Sequence, residues 1–228
     1  MTTTADAPLS RLRLLHLVSP SLPIGAFAYS QGLEWAVECG WVKNEVQLLE
    51  WTSDLMHTIL AYLEIPCLAR LFRACAERDN KALAYWTGFL ISSRETRELR
   101  EEERNRGRAL AQLLPEIGIP VSTDILPLIK RCQLTGFALA ARHWKVPLHC
   151  AAEGYLWAWL ENMVLAGVKI IPLGQTSGQR IIAELTAPIP GIVSTGLDLP
   201  DEAVGACCPA QSLASSQHET QYTRIFRS

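Results

Sequence analysis

A surplus of one charge sign is absent from this sequence. Its 21 lysines and arginines nearly balance its 23 aspartates and glutamates, which leaves a formal net charge of −2. Nucleic-acid-binding domains usually carry a clear excess of basic residues, so this balance argues against that class. Hydrophobic residues make up 49% of the chain and charged residues 19%, which suits a globular domain with a substantial core. The high apolar share is also compatible with an interface that a partner covers.

Paired cysteines and targeting signals are also lacking. The cysteines are odd in number and form no CxxC pattern, which indicates reduced thiols in a cytosolic protein. Residues 1–8 do not show the basic and then apolar order of a secretory signal. The apolar stretch over residues 153–169 is interrupted by Glu153, Glu161 and Lys169, so no transmembrane helix is predicted there. We therefore expect a cytoplasmic protein.

Strand patterns are scarce. The one β-like run, Val-Lys-Ile-Ile over residues 168–171, is too short to build a sheet. Helical spacing of apolar residues extends over most of the chain instead. The sequence therefore predicts an all-α protein, with a single compact bundle of roughly eight to ten helices over residues 1–187.

Several helix boundaries can be predicted from capping residues and prolines. Asn44 and Gln47 form a capping-box-like start, and the helix that follows is expected to end before Pro66, which would begin the next helix. Asp79 is expected to cap a further helix. Later helices are predicted over residues 123–145, 148–170 and 174–186, because prolines separate these periodic stretches.

The composition changes towards the C-terminus. Residues 188–216 contain four prolines and three glycines but no lysine or arginine, which predicts a loop or linker. Residues 217–228 then contain two arginines and two aromatic residues. This segment is predicted to be a partner-binding tail, because such residues are enriched at interface hot spots.

Alternating charges fill the run from Arg94 to Arg108. Opposite charges recur four residues apart, as in Arg97–Glu101 and Glu102–Arg106, and each such pair stabilises a helix by a few tenths of a kcal/mol. A solvated helix face is one interpretation of this run. A partner-binding surface is the other.

Complete catalytic, nucleotide and metal motifs are missing. Ser30 lies in a turn that resembles the G-x-S-x-G nucleophile elbow, but the first glycine is replaced and no strand precedes the serine. The run Gly174–Gly178 lacks the lysine of a phosphate-binding loop, and Thr176 or Ser177 is instead expected to cap a helix. No histidine pair or cysteine spacing predicts a permanent metal site, and no cofactor is expected.

The segment over residues 19–34 combines helix breakers with aromatic residues. Its prolines fix an extended entry, its glycines permit close approach, and Phe27 and Tyr29 supply rigid contact area. Ser30 is expected to cap a helix that runs through Leu33 and Val37 to Trp41. This arrangement is better suited to positioning and binding than to chemistry.

Four segments in the same order resemble the UreF family of urease accessory proteins. They are LPIGAFAYSQGLE at residues 22–34, RETRELREEERNRG at 94–107, AGVKIIPLGQ at 166–175 and HETQYTRIFRS at 218–228. Two alanines, Ala26 and Ala28, depart from the family pattern, in which a glycine pair precedes an aromatic residue and then serine or threonine. The departure puts a polar role of position 28 in doubt.

The resemblance implies an all-α homodimer without catalytic activity of its own. It implies that the chain joins the accessory proteins UreD (also called UreH) and UreG, a GTPase, on apo-urease and helps to incorporate nickel. No nucleic acid or membrane partner is implied. The alternative interpretation is a small helical enzyme or ligand-binding protein that uses the Ser30 turn.

Eleven residues are predicted to bind partners, and no residue is predicted to be catalytic. They belong to the first, third and fourth of these segments: Phe27, Tyr29, Ser30, Gln31, Glu34, Lys169, Gln175, Tyr222, Arg224, Phe226 and Arg227. The tail is expected to be mobile in the free monomer, because ordering each residue costs about 1–2 kcal/mol of backbone entropy. It would become ordered on the dimer mate or on the UreD-like partner.

Overall fold

The computed structural model describes residues 6–228, and it is helical. The part of the signal-peptide argument that concerns residues 1–5 lies outside the described residues. In chain order the helices are α1 (Asp6–Leu17), α2 (Leu33–Glu38), α3 (Glu45–Leu55), α4 (Ile65–Glu77), α5 (Asn80–Ser92), α6 (Arg97–Glu116), α7 (Leu126–Arg131), α8 (Gln133–His143), α9 (Leu148–Ile170), α10 (Gln175–Thr186), α11 (Ile189–Asp198) and α12 (Pro209–His218). Between residues 6 and 228 no β-strand is found, and the all-α prediction is confirmed.

Helices α3 and α4 belong to one continuous helical stretch, Glu45–Glu77. A π-helical segment, Met56–Glu64, joins them, so the predicted break before Pro66 is wrong. Pro66 lies in the first turn of α4, and the wider π-helical hydrogen bonding before it accommodates a residue that lacks an N–H. The stretch is long and apolar enough to cross a membrane, but 78% of its most apolar window is buried inside the protein. It is therefore the central core helix of the fold.

Two predicted helix caps are confirmed. The Asn44 side chain accepts a hydrogen bond from the Gln47 N–H at 3.0 Å, and Gln47 Oε1 accepts one from the Lys43 N–H at 2.9 Å. Asp79 accepts from the N–H groups of Lys81 and Ala82 at the start of α5. The caps predicted at Thr176 and Ser177 are wrong, because α10 begins at Gln175.

Helix α9 is the second long core helix, and it contacts α3, α4, α8, α10 and α11. Gly167 lies against the central helix: a Cβ added there would stand 2.5 Å from Leu48 Cδ2. The run over residues 168–171 is not a strand, since it forms the last turn of α9 and an extended residue, Ile171, after it. The predicted helix over residues 123–145 is divided into α7 and α8 by the extended Cys132.

The linker predicted over residues 188–216 is wrong in large part, because α11 and α12 occupy much of this range. Pro190 and Pro209 lie in the first turns of these helices, where a missing N–H costs nothing. Gly196 allows α11 to lie close to the π-helical segment, since an added Cβ would stand 2.8 Å from the Ala61 carbonyl oxygen. The prolines and glycines of this range therefore start and pack helices.

Candidate partner-binding site

The segment over residues 19–34 is a loop that ends in the short helix α2. Gly25 and Gly32 have φ angles of 72° and 88°, which favour glycine. A Cβ at Gly32 would stand 2.7 Å from the Ser215 backbone nitrogen of α12, whereas a Cβ at Gly25 would meet nothing within 4 Å. The predicted close approach of a glycine is therefore found at Gly32.

Ser30 connects this loop to the end of the chain. Its backbone N–H and its hydroxyl both donate to the Ser228 main-chain oxygen, at 2.7 and 2.5 Å. The same hydroxyl accepts from the Glu34 N–H at 3.2 Å. The predicted capping contact of Ser30 is thus present, but Gly32 occupies the N-cap position and α2 runs only from Leu33 to Glu38, so the predicted extension to Trp41 is wrong.

The C-terminal segment, residues 219–228, packs on this loop and on α2. The Arg227 N–H donates to the Ala28 carbonyl oxygen at 2.8 Å. The Glu34 side chain accepts from the backbone N–H groups of Ile225 and Phe226 at 2.6 and 2.9 Å. The monomer thus holds the segment on its own N-terminal motif, and the prediction of an undocked tail in the free monomer is contradicted.

Four charged residues, which we call the tail cluster, hold the start of this segment: Glu34, Glu98, His218 and Arg224. The two ring nitrogens of His218 lie 3.0 Å from Glu34 Oε2 and 2.8 Å from Glu98 Oε2. Arg224 donates to the other oxygen of Glu98 at 3.0 Å. Burial alone lowers the pKa of His218, but its hydrogen bonds to Glu98 and Glu34 outweigh burial and raise that pKa. His218 and Glu98 were not among the predicted site residues.

A second group of buried residues, the core cluster, combines three charged residues with a tyrosine: Glu64, Arg94, Glu103 and Tyr155. Arg94 donates to Glu64 and Glu103, both at 2.7 Å, and the Tyr155 hydroxyl donates to Glu64 at 2.5 Å. Burial lowers the pKa of Arg94, but the two carboxylates outweigh it and raise that pKa well above its usual value.

Gln31 connects the loop to α6 and α9. Its amide nitrogen donates to Glu102 at 3.1 Å, and its amide oxygen accepts from the Trp159 indole N–H at 3.0 Å. Glu102 also accepts from Arg106 at 2.7 Å, which confirms that predicted pair. Burial raises the pKa of Glu102, and Arg106 opposes the shift. The interpretation of the whole run from Arg94 to Arg108 as a solvated face is wrong, because α6 turns several carboxylates inwards.

The predicted contact residues fall into two groups. Six are exposed in this structure: Phe27, Lys169, Gln175, Tyr222, Arg224 and Arg227. Five are buried and bonded within the chain: Tyr29, Ser30, Gln31, Glu34 and Phe226. The buried group therefore positions the exposed group in this conformation and offers a partner no direct contact.

Phe27 of the first segment and Lys169 of the third segment share one region. A cavity of about 100 Å³ beneath the loop is lined by both Phe27 and Lys169. The Lys169 ammonium lies 5.7 Å from the centre of the Phe226 ring, a cation–π contact. In the C-terminal segment Tyr222 and Ile225 are also exposed. No cluster of three or more possible metal ligands is found among the described residues.

Comparison with known proteins agrees with the family resemblance of the sequence motifs, and the matches extend over nearly the whole chain. A family model described as UreF matches residues 42–186. The urease accessory protein UreF of Alkalilimnicola ehrlichii is 46% identical over 228 residues and covers 100% of both chains. That of Alcanivorax borkumensis is 48% identical over 95% of this chain and 97% of its own. That of Escherichia coli is 42% identical over 97% of this chain and 99% of its own.

Proposed function

Since this chain belongs to the UreF family of urease accessory proteins, we propose that it is a non-catalytic assembly protein of urease maturation. In this role it joins UreD (UreH) and the GTPase UreG on apo-urease and promotes the incorporation of nickel, which is cargo. It acts as a homodimer in the cytoplasm. Its partners bind the exposed surface formed by the N-terminal loop, the end of α9 and the C-terminal segment.

One observation carries the choice of this surface: exposed apolar and cationic side chains stand on a backbone that buried contacts hold in place. Tyr222 is fully exposed and Ile225 is 68% exposed, although the N–H of Ile225 is bonded to Glu34. Exposed aromatic and arginine side chains on a pre-organised backbone lose little entropy on binding. Such a surface fits protein recognition.

The alternative, an enzyme that uses the Ser30 turn, is disfavoured by the surroundings of that serine. Ser30 is 0% exposed, and its hydroxyl proton is donated to the Ser228 main-chain oxygen. A nucleophilic serine needs a nearby base and access for a substrate. The Ser30 hydroxyl instead joins the N-terminal loop to the C-terminal segment.

Tyr222→Ala combined with Ile225→Ala tests the surface. Neither side chain is buried, so the melting temperature should change little, while co-purification with UreD (UreH) and UreG and the activation of urease should fall at least about tenfold. Tyr85→Ala is the matched control, because Tyr85 is 62% exposed on α5. Recovery of the complete accessory complex with the double variant at the wild-type level would contradict the proposed surface.

A further inference from the structure

The hydrogen-bond partners of His218 favour the doubly protonated form of its ring. Both ring nitrogens face carboxylate oxygens, from Glu34 on α2 and Glu98 on α6. An ionised carboxylate only accepts hydrogen bonds, so both nitrogens must donate, which only the imidazolium form can do. We propose that His218 is a proton-operated lock: its imidazolium form holds the C-terminal segment on the N-terminal loop, and loss of the proton releases that segment.

The charges around His218 balance only when it is protonated. The elements packed against α12 are α2 and α6, and they contribute the carboxylates of Glu34 and Glu98. The C-terminal segment contributes Arg224, which is bound to Glu98. Arg97 at the start of α6 and Glu219, the residue after His218, pair with each other. With the proton, two cations face two buried carboxylates; without it, one cation remains.

Deprotonation of His218 also removes one of its two hydrogen bonds to carboxylates, and this loss affects the C-terminal segment through Glu34. Neutral imidazole has one donor nitrogen and one acceptor nitrogen, so one carboxylate would face a lone pair. Glu34 is one of these carboxylates, and it also accepts from the N–H groups of Ile225 and Phe226. A displaced Glu34 would leave both amides unpaired. Release of the His218 proton therefore weakens the contacts that dock the segment.

The direction of the pH dependence follows from the raised pKa of His218. A raised pKa in the docked state means that docking is strongest below the pKa of an unrestrained histidine, about 6.5. Docking then weakens as the pH rises through the pKa of the docked state. Between the pKa of an unrestrained histidine and the pKa of His218 in the docked state, the equilibrium constant for docking should fall by up to about tenfold per pH unit.

Only the effect of this lock on partner recruitment rests on the proposed function. If partners bind the docked C-terminal segment, a rise in pH disfavours recruitment and a proton favours it. The docking equilibrium itself belongs to the isolated chain. It can therefore be measured without UreD, UreG or urease.

Hydrogen exchange of the purified full-length chain across the pH range, corrected for intrinsic rates, tests the lock. The protection of the Ile225, Phe226 and Arg227 amides should fall with rising pH, while the amides of α9 stay protected. In parallel, ¹H–¹⁵N correlation spectra of ¹⁵N-histidine-labelled protein should show His218 protonated on both nitrogens when the segment is docked. Its titration midpoint should coincide with the loss of protection.

His218→Gln should lower the protection of these amides at least about tenfold at mildly acidic pH and abolish its dependence on pH. His149→Gln is the control, because His149 is exposed and faces Glu153 on α9; it should keep the wild-type dependence. If His218→Gln does not fold, the wild-type titration alone decides. A neutral His218 ring in the docked state would overturn the lock, as would protection of the C-terminal amides that does not change while His218 titrates.

Discussion

The tail cluster and the core cluster each contain two buried glutamates bridged by one cationic side chain, but the bridging residue differs. In the core cluster Arg94 bridges Glu64 and Glu103. In the tail cluster His218 bridges Glu34 and Glu98. One charged stretch of sequence contributes to both, since Arg94, Glu98 and Glu103 lie within ten residues. The difference between the two clusters is therefore a difference between arginine and histidine.

Arginine and histidine suit different tasks at such a position. A guanidinium keeps its charge at any physiological pH, so Arg94 cannot act as a proton switch. An imidazole gains or loses its charge within this range. The core cluster also joins the central helix to α6 and α9, whereas the tail cluster holds a terminal segment. A permanent charge lies between the carboxylates of the core cluster, and a titratable one lies between the carboxylates that hold the C-terminal segment.

Arg94→Met should have the largest effect on stability and would break the core cluster alone. The variant leaves Glu64 and Glu103 buried without their shared cation, and removal of one partner of a buried ion pair costs about 3–5 kcal/mol. Denaturant unfolding followed by circular dichroism measures the loss. Arg104→Met is the control, because Arg104 is exposed on α6, the helix that begins three residues after Arg94, and it should change the free energy of unfolding by less than about 0.5 kcal/mol. Equal midpoints for the two variants would refute the structural role of Arg94.

Gly32→Ala should have the next largest effect on the free energy of unfolding, and Gly25→Ala is its matched control. Both positions have left-handed backbones, so each alanine should cost about 1–2 kcal/mol of backbone strain. Only at Gly32 would the new Cβ press on α12, 2.7 Å from the Ser215 nitrogen, which should add about 1–3 kcal/mol.

The two glycine variants should also differ in the C-terminal segment. Displacement of α12 moves His218, so the protection of the Ile225 and Phe226 amides should fall in Gly32→Ala and stay near wild type in Gly25→Ala. Thermal unfolding and hydrogen exchange measure the two effects. If both alanines cost the same and leave the amides equally protected, the contact between the loop and α12 is not a determinant of docking.

Local features of this fold could be predicted from the sequence. Asn44 and Asp79 cap helices through side chains that bond to N–H groups two or three residues away, and such contacts depend on neighbouring residues alone. The all-α class follows from apolar periodicity for the same reason. The prolines of residues 188–216 do not mark a linker, because proline is disfavoured within a helix but fits its first turn.

The tail cluster could not be predicted because its contacts join distant parts of the sequence. Glu34 and His218 are 184 residues apart, and Glu98 and His218 are 120 apart. No local pattern distinguishes Glu98 from its exposed neighbours in a run of alternating charges. His218 was available as a signal, since it is the first residue of the fourth segment that carries the family resemblance, but only the packing of α12 on α2 and α6 shows what it contacts.

Lys169→Ala should have the smallest effect on stability and a large effect on recruitment. Lys169 is an exposed residue in the last turn of α9, and its cation–π contact with Phe226 is worth about 0.5–1 kcal/mol. The melting temperature should therefore change little, and residual docking of the C-terminal segment should persist because Glu34 and His218 still hold it. Lys130→Ala is the control, since Lys130 occupies the last turn of α7. Co-purification with UreG and activation of urease should fall for Lys169→Ala and not for Lys130→Ala. Normal activation by a well-folded Lys169→Ala protein would remove Lys169 from the proposed surface and leave the C-terminal segment to carry recruitment.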